Sequence, residues 1–123
     1  MLRATLPHVD MWNTWHAWYG NTPAGLANLM ERLDSLCGEV GHDPSEVSRT
    51  AAIMIQCPGG TGRIYGDTEH ESNVAVLGSP EQIASALIGF EMPGLDHVQL
   101  VLDPITVESI EWMGSVLELI DRA

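Results

Sequence analysis

The segment from Val76 to Asp103, VLGSPEQIASALIGFEMPGLDHVQLVLD, restricts the fold more than any other stretch of the chain. Its first half reads as a helix with a defined start. Ser79 is a good N-cap, Pro80 takes the first helical position, and Gln82 completes a Ser-x-x-Gln capping box. Ile83, Leu87 and Phe90 recur at helical spacing, and Ala84, Ala86 and Ile88 thicken that stripe. Met92-Pro93-Gly94 then stops the helix, because proline cannot continue it and glycine relieves the turn. The run His97 to Leu102 is short, mostly apolar and rich in β-formers, which predicts a strand buried on both faces, as in a parallel sheet. Asp103-Pro104 ends it, and a further helix from Thr106 makes the segment an α/β repeat.

At 123 residues the chain is expected to form a single domain over 1–123 with a real core. Seventeen acidic residues against five arginines and no lysine leave a formal charge of -12. Nucleic acid and anionic membrane are excluded as partners on that ground, since too few cations exist to neutralise phosphates. A solvated acidic surface that maintains solubility is the plain account of the charge. No apolar run approaches ~18 residues, so no segment is expected to span a membrane. The N-terminus MLRATLPH lacks the apolar core of a secretory signal. Cys37 and Cys57 are therefore expected as reduced, packing thiols of a cytoplasmic protein.

Along the chain, residues 1–8 read as the tail of a helix closed by Pro7. Val9 to Asn13 is a short strand candidate, and Thr14 to Asn21 an aromatic loop. Three tryptophans and a tyrosine fall within the eight residues from Trp12 to Tyr19. Such rings either plug the end of a small sheet or wall a ligand pocket, where Asn13, Thr14 and His16 would supply the polar groups. Thr22 caps the next helix, with Pro23 in its first turn and a 3.6-residue stripe from Leu26 to Val40. Arg49 to Gln56 is the second clear strand. The glycine-rich loop Cys57 to Arg63 leaves it, and such a loop can aim N–H groups at a phosphate with Arg63 adding a fork of donors. It matches neither GxGxxG nor a Walker loop, and a ligand-free turn is the simpler account. Asp67, Glu69, His70 and Glu71 cluster in the polar stretch 64–74, but nothing repeats at a metal-ligand spacing and no metal is expected. A short fourth strand is possible at Val74-Ala75-Val76. The last helix runs from about Thr106 to Asp121, with Val107, Ile110, Met113, Gly114, Leu117 and Ile120 expected to face the core and Trp112 off that stripe.

Three segments together resemble a known family. Val9-Asp10-Met11-Trp12-Asn13 is like its "aDgWn" segment. Leu77-Gly78-Ser79-Pro80-Glu81-Gln82-Ile83-Ala84 is like its "lxGtPeei" segment, and Gly94-Leu95-Asp96-His97-Val98-Gln99-Leu100 is like the "G(v/a)dhv" entry to its last strand. In this order the chain resembles the C-terminal part of the bacterial luciferase-like monooxygenases, which are flavin- or deazaflavin (F420)-dependent oxidoreductases. The resemblance implies an α/β fold, the C-terminal portion of a (β/α)8 TIM barrel, with about three parallel strands and packed helices. It covers the sixth to eighth strands of that barrel and omits the first five.

In such barrels the working face lies at the C-terminal ends of the strands. Those ends would carry Trp12 to His16, then Gln56 to Arg63, then Asp103. The resemblance thus implies an oxidoreductase portion performing hydride transfer with F420 or FMN and a small organic substrate. Asn13, Gly59, Gly60 and Arg63 would contact the cofactor, and Trp12, Thr14, Trp15 and His16 the substrate. Two other functions compete: a non-catalytic remnant or subunit that completes its site with another chain, and a stand-alone small-molecule binding protein. A three-strand wedge has two free edges, so a homo-oligomer or a complementing chain is the expected partner.

Overall fold

The computed structural model describes residues 2–60 and 75–123. A helical turn, α1 (Leu2–Thr5), leads through a 3-10 turn (Leu6–His8) into β1 (Met11–Thr14). The long α2 (Pro23–Glu39) connects β1 to β2 (Ser48–Gln56). Then come α3 (Pro80–Ile88), β3 (His97–Asp103) and α4 (Val107–Asp121). The strands form one open sheet in the order β1-β2-β3, parallel throughout. That order is what right-handed crossovers produce when successive parallel strands lie side by side.

The helices start where side-chain acceptors meet free N–H groups. The Thr22 side chain accepts from the Gly25 N–H at α2, Thr106 from the Ser109 N–H at α4, and Ser79 from the Gln82 N–H at α3. At α3 the Gln82 side chain reciprocates to the Ser79 N–H at 2.8 Å, completing the capping box. α3 ends at Ile88, with Gly89 as its C-cap, so the helix stops before Met92-Pro93-Gly94. Phe90 still folds back into the core just past the helix end.

Strand pairing divides side chains between two faces, because successive residues alternate. Trp12 and Thr14 of β1, Arg49, Ala51, Ile53 and Ile55 of β2, and Val98, Leu100 and Leu102 of β3 share one face. On that face Leu26 and Met30 of α2, Ile83 and Ala84 of α3, and Met113 and Val116 of α4 pack with Ala51, Ile53 and Ile55 in one core. All three long helices therefore cover the same side of the sheet. A smaller cluster of Leu6, Leu33, Cys37 and Val47 lies under the N-terminal turn, with Trp12 packed against both clusters. On the other face Thr50, Ala52 and Met54 are buried, whereas Asn13, His97 and Gln99 of the flanking strands are exposed.

Several expectations need correction. β1 covers Met11–Thr14 and not Val9 to Asn13, so Thr14 is a strand residue. β3 is an edge strand, exposed at His97 and Gln99, and is not buried on both faces. On α4 the core side is Ser109, Met113 and Val116; Val107, Ile110, Gly114 and Leu117 face outward. Trp112, off the expected stripe, packs half-buried against the core. The residues Val107, Ile110 and Leu117 do form a helical stripe, but periodicity alone does not say which of two apolar stripes meets the sheet. The fourth strand is reduced to one bridge, in which Val76 pairs parallel with Ile55.

Candidate functional site

Because the strands are parallel, their C-terminal ends meet at one rim, where Thr14 to His16, Gln56 to Gly60 and Asp103 come together. β1 ends at Thr14, opposite Ala51, and leaves the rest of that side of β2 without a strand neighbour among the described residues. The aromatic loop fills the gap with side chains. The Tyr19 hydroxyl donates to the Ala52 carbonyl at 2.6 Å. Asn21 accepts from the Met54 N–H and donates to the Met54 carbonyl, at 2.9 and 3.0 Å. Val76 continues the row, its N–H donating to Met54 O and its carbonyl accepting from Gln56 N, both at 2.9 Å. Burial holds the Tyr19 hydroxyl protonated by pushing its pKa well above the usual phenol value. Tyr19 takes the sheet-plugging role that the aromatic cluster offers; for Asn21 the signal in the sequence is Gly20-Asn21, a pair suited to the left-handed backbone that Asn21 adopts at φ 56°.

The expected substrate contacts separate. Trp12 and Thr14 point to the helix-covered face, Thr14 fully buried with its hydroxyl unpaired among the described residues. Asn13 lies on the opposite face, where it accepts from the Thr50 hydroxyl at 2.7 Å. Trp12 and Asn13 thus cannot flank one ligand from the same side of β1. His16 is fully buried at the rim, with Trp15 half-buried against it at a ring separation of 4.4 Å. Trp18, in contrast, is exposed.

Cys57 to Gly60 forms a closed turn. The Gly60 N–H donates to the Cys57 carbonyl at 2.9 Å, with Pro58 and Gly59 between them and Gly59 at φ 86°. Proline followed by a positive-φ glycine is the type II pattern. A Cβ on Gly60 would lie 2.5 Å from the Asp103 carbonyl oxygen and 2.6 Å from Gln56 Cγ, so this glycine permits the close approach of β3's end. The Cys57 N–H donates to that same Asp103 carbonyl at 2.8 Å. Arg63, together with Asp67, Glu69, His70 and Glu71, lies outside the described residues.

Cys57 and Asp103, both expected at this rim, are buried there together with Ser109 at the start of α4, which the sequence reading did not include. Burial pushes the Cys57 thiol up, partly offset by its hydrogen bond with Ser109. Residues so far apart along the chain offer no spacing signal. Among the described residues no group of histidine, cysteine and carboxylate side chains is arranged to hold a metal, and no helix is long and apolar enough to cross a membrane. The chain matches no family model, no curated protein and no solved structure.

Proposed function

We propose that the chain is a segment of a (β/α)8 barrel that contributes part of a small-molecule site in a cytoplasmic oxidoreductase, the site being completed by another polypeptide. The observation that supports this reading is the one-sided packing of α2, α3 and α4 on a parallel sheet whose strands follow chain order. Half of a doubly wound sheet has that order too, but its second face is covered by helices and is apolar. Here the second face mixes Asn13, Thr50, Gln56, His97 and Gln99 with Ala52, Met54 and Val101, and none of α2, α3 and α4 packs on it.

The resemblance to the luciferase-like oxidoreductases supplies the ligand class, F420 or FMN with a small organic substrate. The described part of the glycine loop does not fit a cofactor phosphate. Its Gly60 N–H is used inside the turn, and the space above Gly60 is taken by the Asp103 carbonyl and Gln56. On this reading a ligand approaches the rim from the Asn13 side, against Trp15, and no contact is assigned to Gly59 or Gly60.

The test is titration of FMN and of F420, by fluorescence, into the chain alone and into the chain mixed with candidate complementing polypeptides. Saturable binding that weakens in Asn13→Ala but not in Gly59→Ala supports the proposal. Absence of binding under every condition, with a monomer in sedimentation equilibrium, removes it.

A further inference from the structure

Three large apolar side chains that α4 does not bury share one outward face of the helix. Val107, Ile110 and Leu117 are 67%, 60% and 46% exposed, and Gly114 between them has no neighbour over it. At its lower end the stripe runs into a cavity of about 480 Å³ between α3, α4 and the start of β3, where Leu117 lies with Ile88, Leu87 and Phe90. Helices α3 and α4 pack together, each beginning at the C-terminal rim of the sheet, and Leu117 joins the outward face of α4 to the cavity between them. Scattered exposed apolar residues need no explanation, but three on one helix face, the last opening into an apolar cavity, suit an interaction surface.

The charge around this surface says what kind of chain covers it. Glu111 and Glu118 lie beside the stripe at helical spacing, Asp121 lies at its end, and Glu91 and Asp96 stand at the cavity. Among the described residues the arginine on this part of the surface is Arg122, 3.8 Å from Glu118. A second copy of the chain docked by this same face would set carboxylates against carboxylates, which screening at a length of ~8 Å does not cancel at contact. We propose that this surface is a docking site for a basic amphipathic helix of another protein. Its apolar side would lie on Val107, Ile110 and Leu117, with one large side chain in the cavity and lysines or arginines against Glu111, Glu118 and Glu91. This surface is on the outer side of the sheet, so the inference stands whether or not the rim binds a cofactor.

The probe is a fluorescein-labelled helical peptide of leucine and lysine, about as long as α4 at ~1.5 Å rise per residue. Its control keeps the leucines and replaces each lysine with glutamate. Anisotropy titration should show saturable binding of the lysine peptide only. The affinity should fall about tenfold or more in Ile110→Asp and in Leu117→Ser, whose positions are exposed enough to leave the fold intact. The pair Glu111→Gln/Glu118→Gln should weaken binding severalfold, whereas Glu31→Gln/Glu39→Gln on α2, equal in charge, should not. Equal losses in both pairs would mean unspecific attraction to an acidic protein and would overturn the proposal. So would binding of the glutamate peptide, binding of neither peptide, or a dimer that Ile110→Asp dissociates.

Discussion

The Asn21 side chain takes the place of a strand: its carboxamide accepts from the Met54 N–H at 2.9 Å and donates to the Met54 carbonyl at 3.0 Å. Both groups lie on the side of β2 that β1, ending at Thr14, no longer reaches. Buried backbone groups left without partners are costly, so a short β1 requires such a substitute.

Asn21→Ala should therefore destabilise the fold by about 2 to 4 kcal/mol, since it removes two buried hydrogen bonds and strands the Met54 N–H. Asn21→Asp should cost at least as much, because a carboxylate cannot donate to the Met54 carbonyl. Urea denaturation with unchanged slope is the measurement. A midpoint equal to the parent's would show that the edge is satisfied in another way.

The two glycines of the Cys57–Gly60 turn should respond differently from ligand-contact residues. Gly59→Ala places a Cβ at φ 86° and should cost about 1 to 2 kcal/mol. Gly60→Ala forces Asp103 and Gln56 apart and should cost about 2 to 3 kcal/mol, the range typical of overpacking. Thermal melts ranking Gly60→Ala as the less damaging of the two would contradict the turn described here.

At the opposite end of the strands, Arg49 is held by Asp34 and by the carbonyls of Met30 and Pro44, while its own N–H donates to Asp96. The Arg49 side chain is 7% exposed and that of Asp34 51%. Removing Asp34 leaves the cation with two carbonyl partners, and solvent screening on the carboxylate side limits the loss. Asp34→Asn should cost about 1 kcal/mol. Arg49→Ala opens a void and abandons three acceptors, and should cost about 3 kcal/mol. A double-mutant cycle in which the two effects simply add would show that the pair contributes no coupling.

Alkaline pH should weaken the protein through three groups. Burial raises Tyr19 above its ordinary 10.0 and Cys37 and Cys57 above their ordinary 9.0. Each folded pKa lies above the unfolded one, so the native state holds protons that the unfolded chain releases. The stability from these groups is complete below about pH 9 and declines as pH rises beyond it. Tyr19→Phe should remove the part of the decline that begins near pH 10, at the cost of the bond to Ala52. In the native protein both thiols should react slowly with a disulfide reagent at neutral pH and rapidly once unfolded. Fast native labelling would show that burial does not protect them.

Much of the fold was legible in local chemistry. Capping residues at Thr22, Ser79 and Thr106 locate three helix starts, and the apolar β-branched run at Ile53 to Ile55 locates the central strand. The site was less legible. Trp12 and Asn13 are adjacent in sequence and were grouped together, yet the pleat sends them to opposite faces. The glycine loop allowed a phosphate, with a plain turn the simpler account; a turn does form over Cys57 to Gly60, and its close fit to Asp103 of β3 is what the sequence does not show.

The sequence by itself determined the elements, their parallel order and the acidic surface, since these follow from caps, periodicity and charge within a few turns of chain. Only the tertiary structure decided which α4 stripe meets the sheet and how far β1 extends. It also decided that Tyr19 and Asn21 complete the edge of β2. Those outcomes depend on contacts between residues more than thirty positions apart, as in the bond from Tyr19 to Ala52. No local propensity encodes such contacts, because either face of an amphipathic helix and either end of a strand is acceptable until a neighbour arrives to cover it.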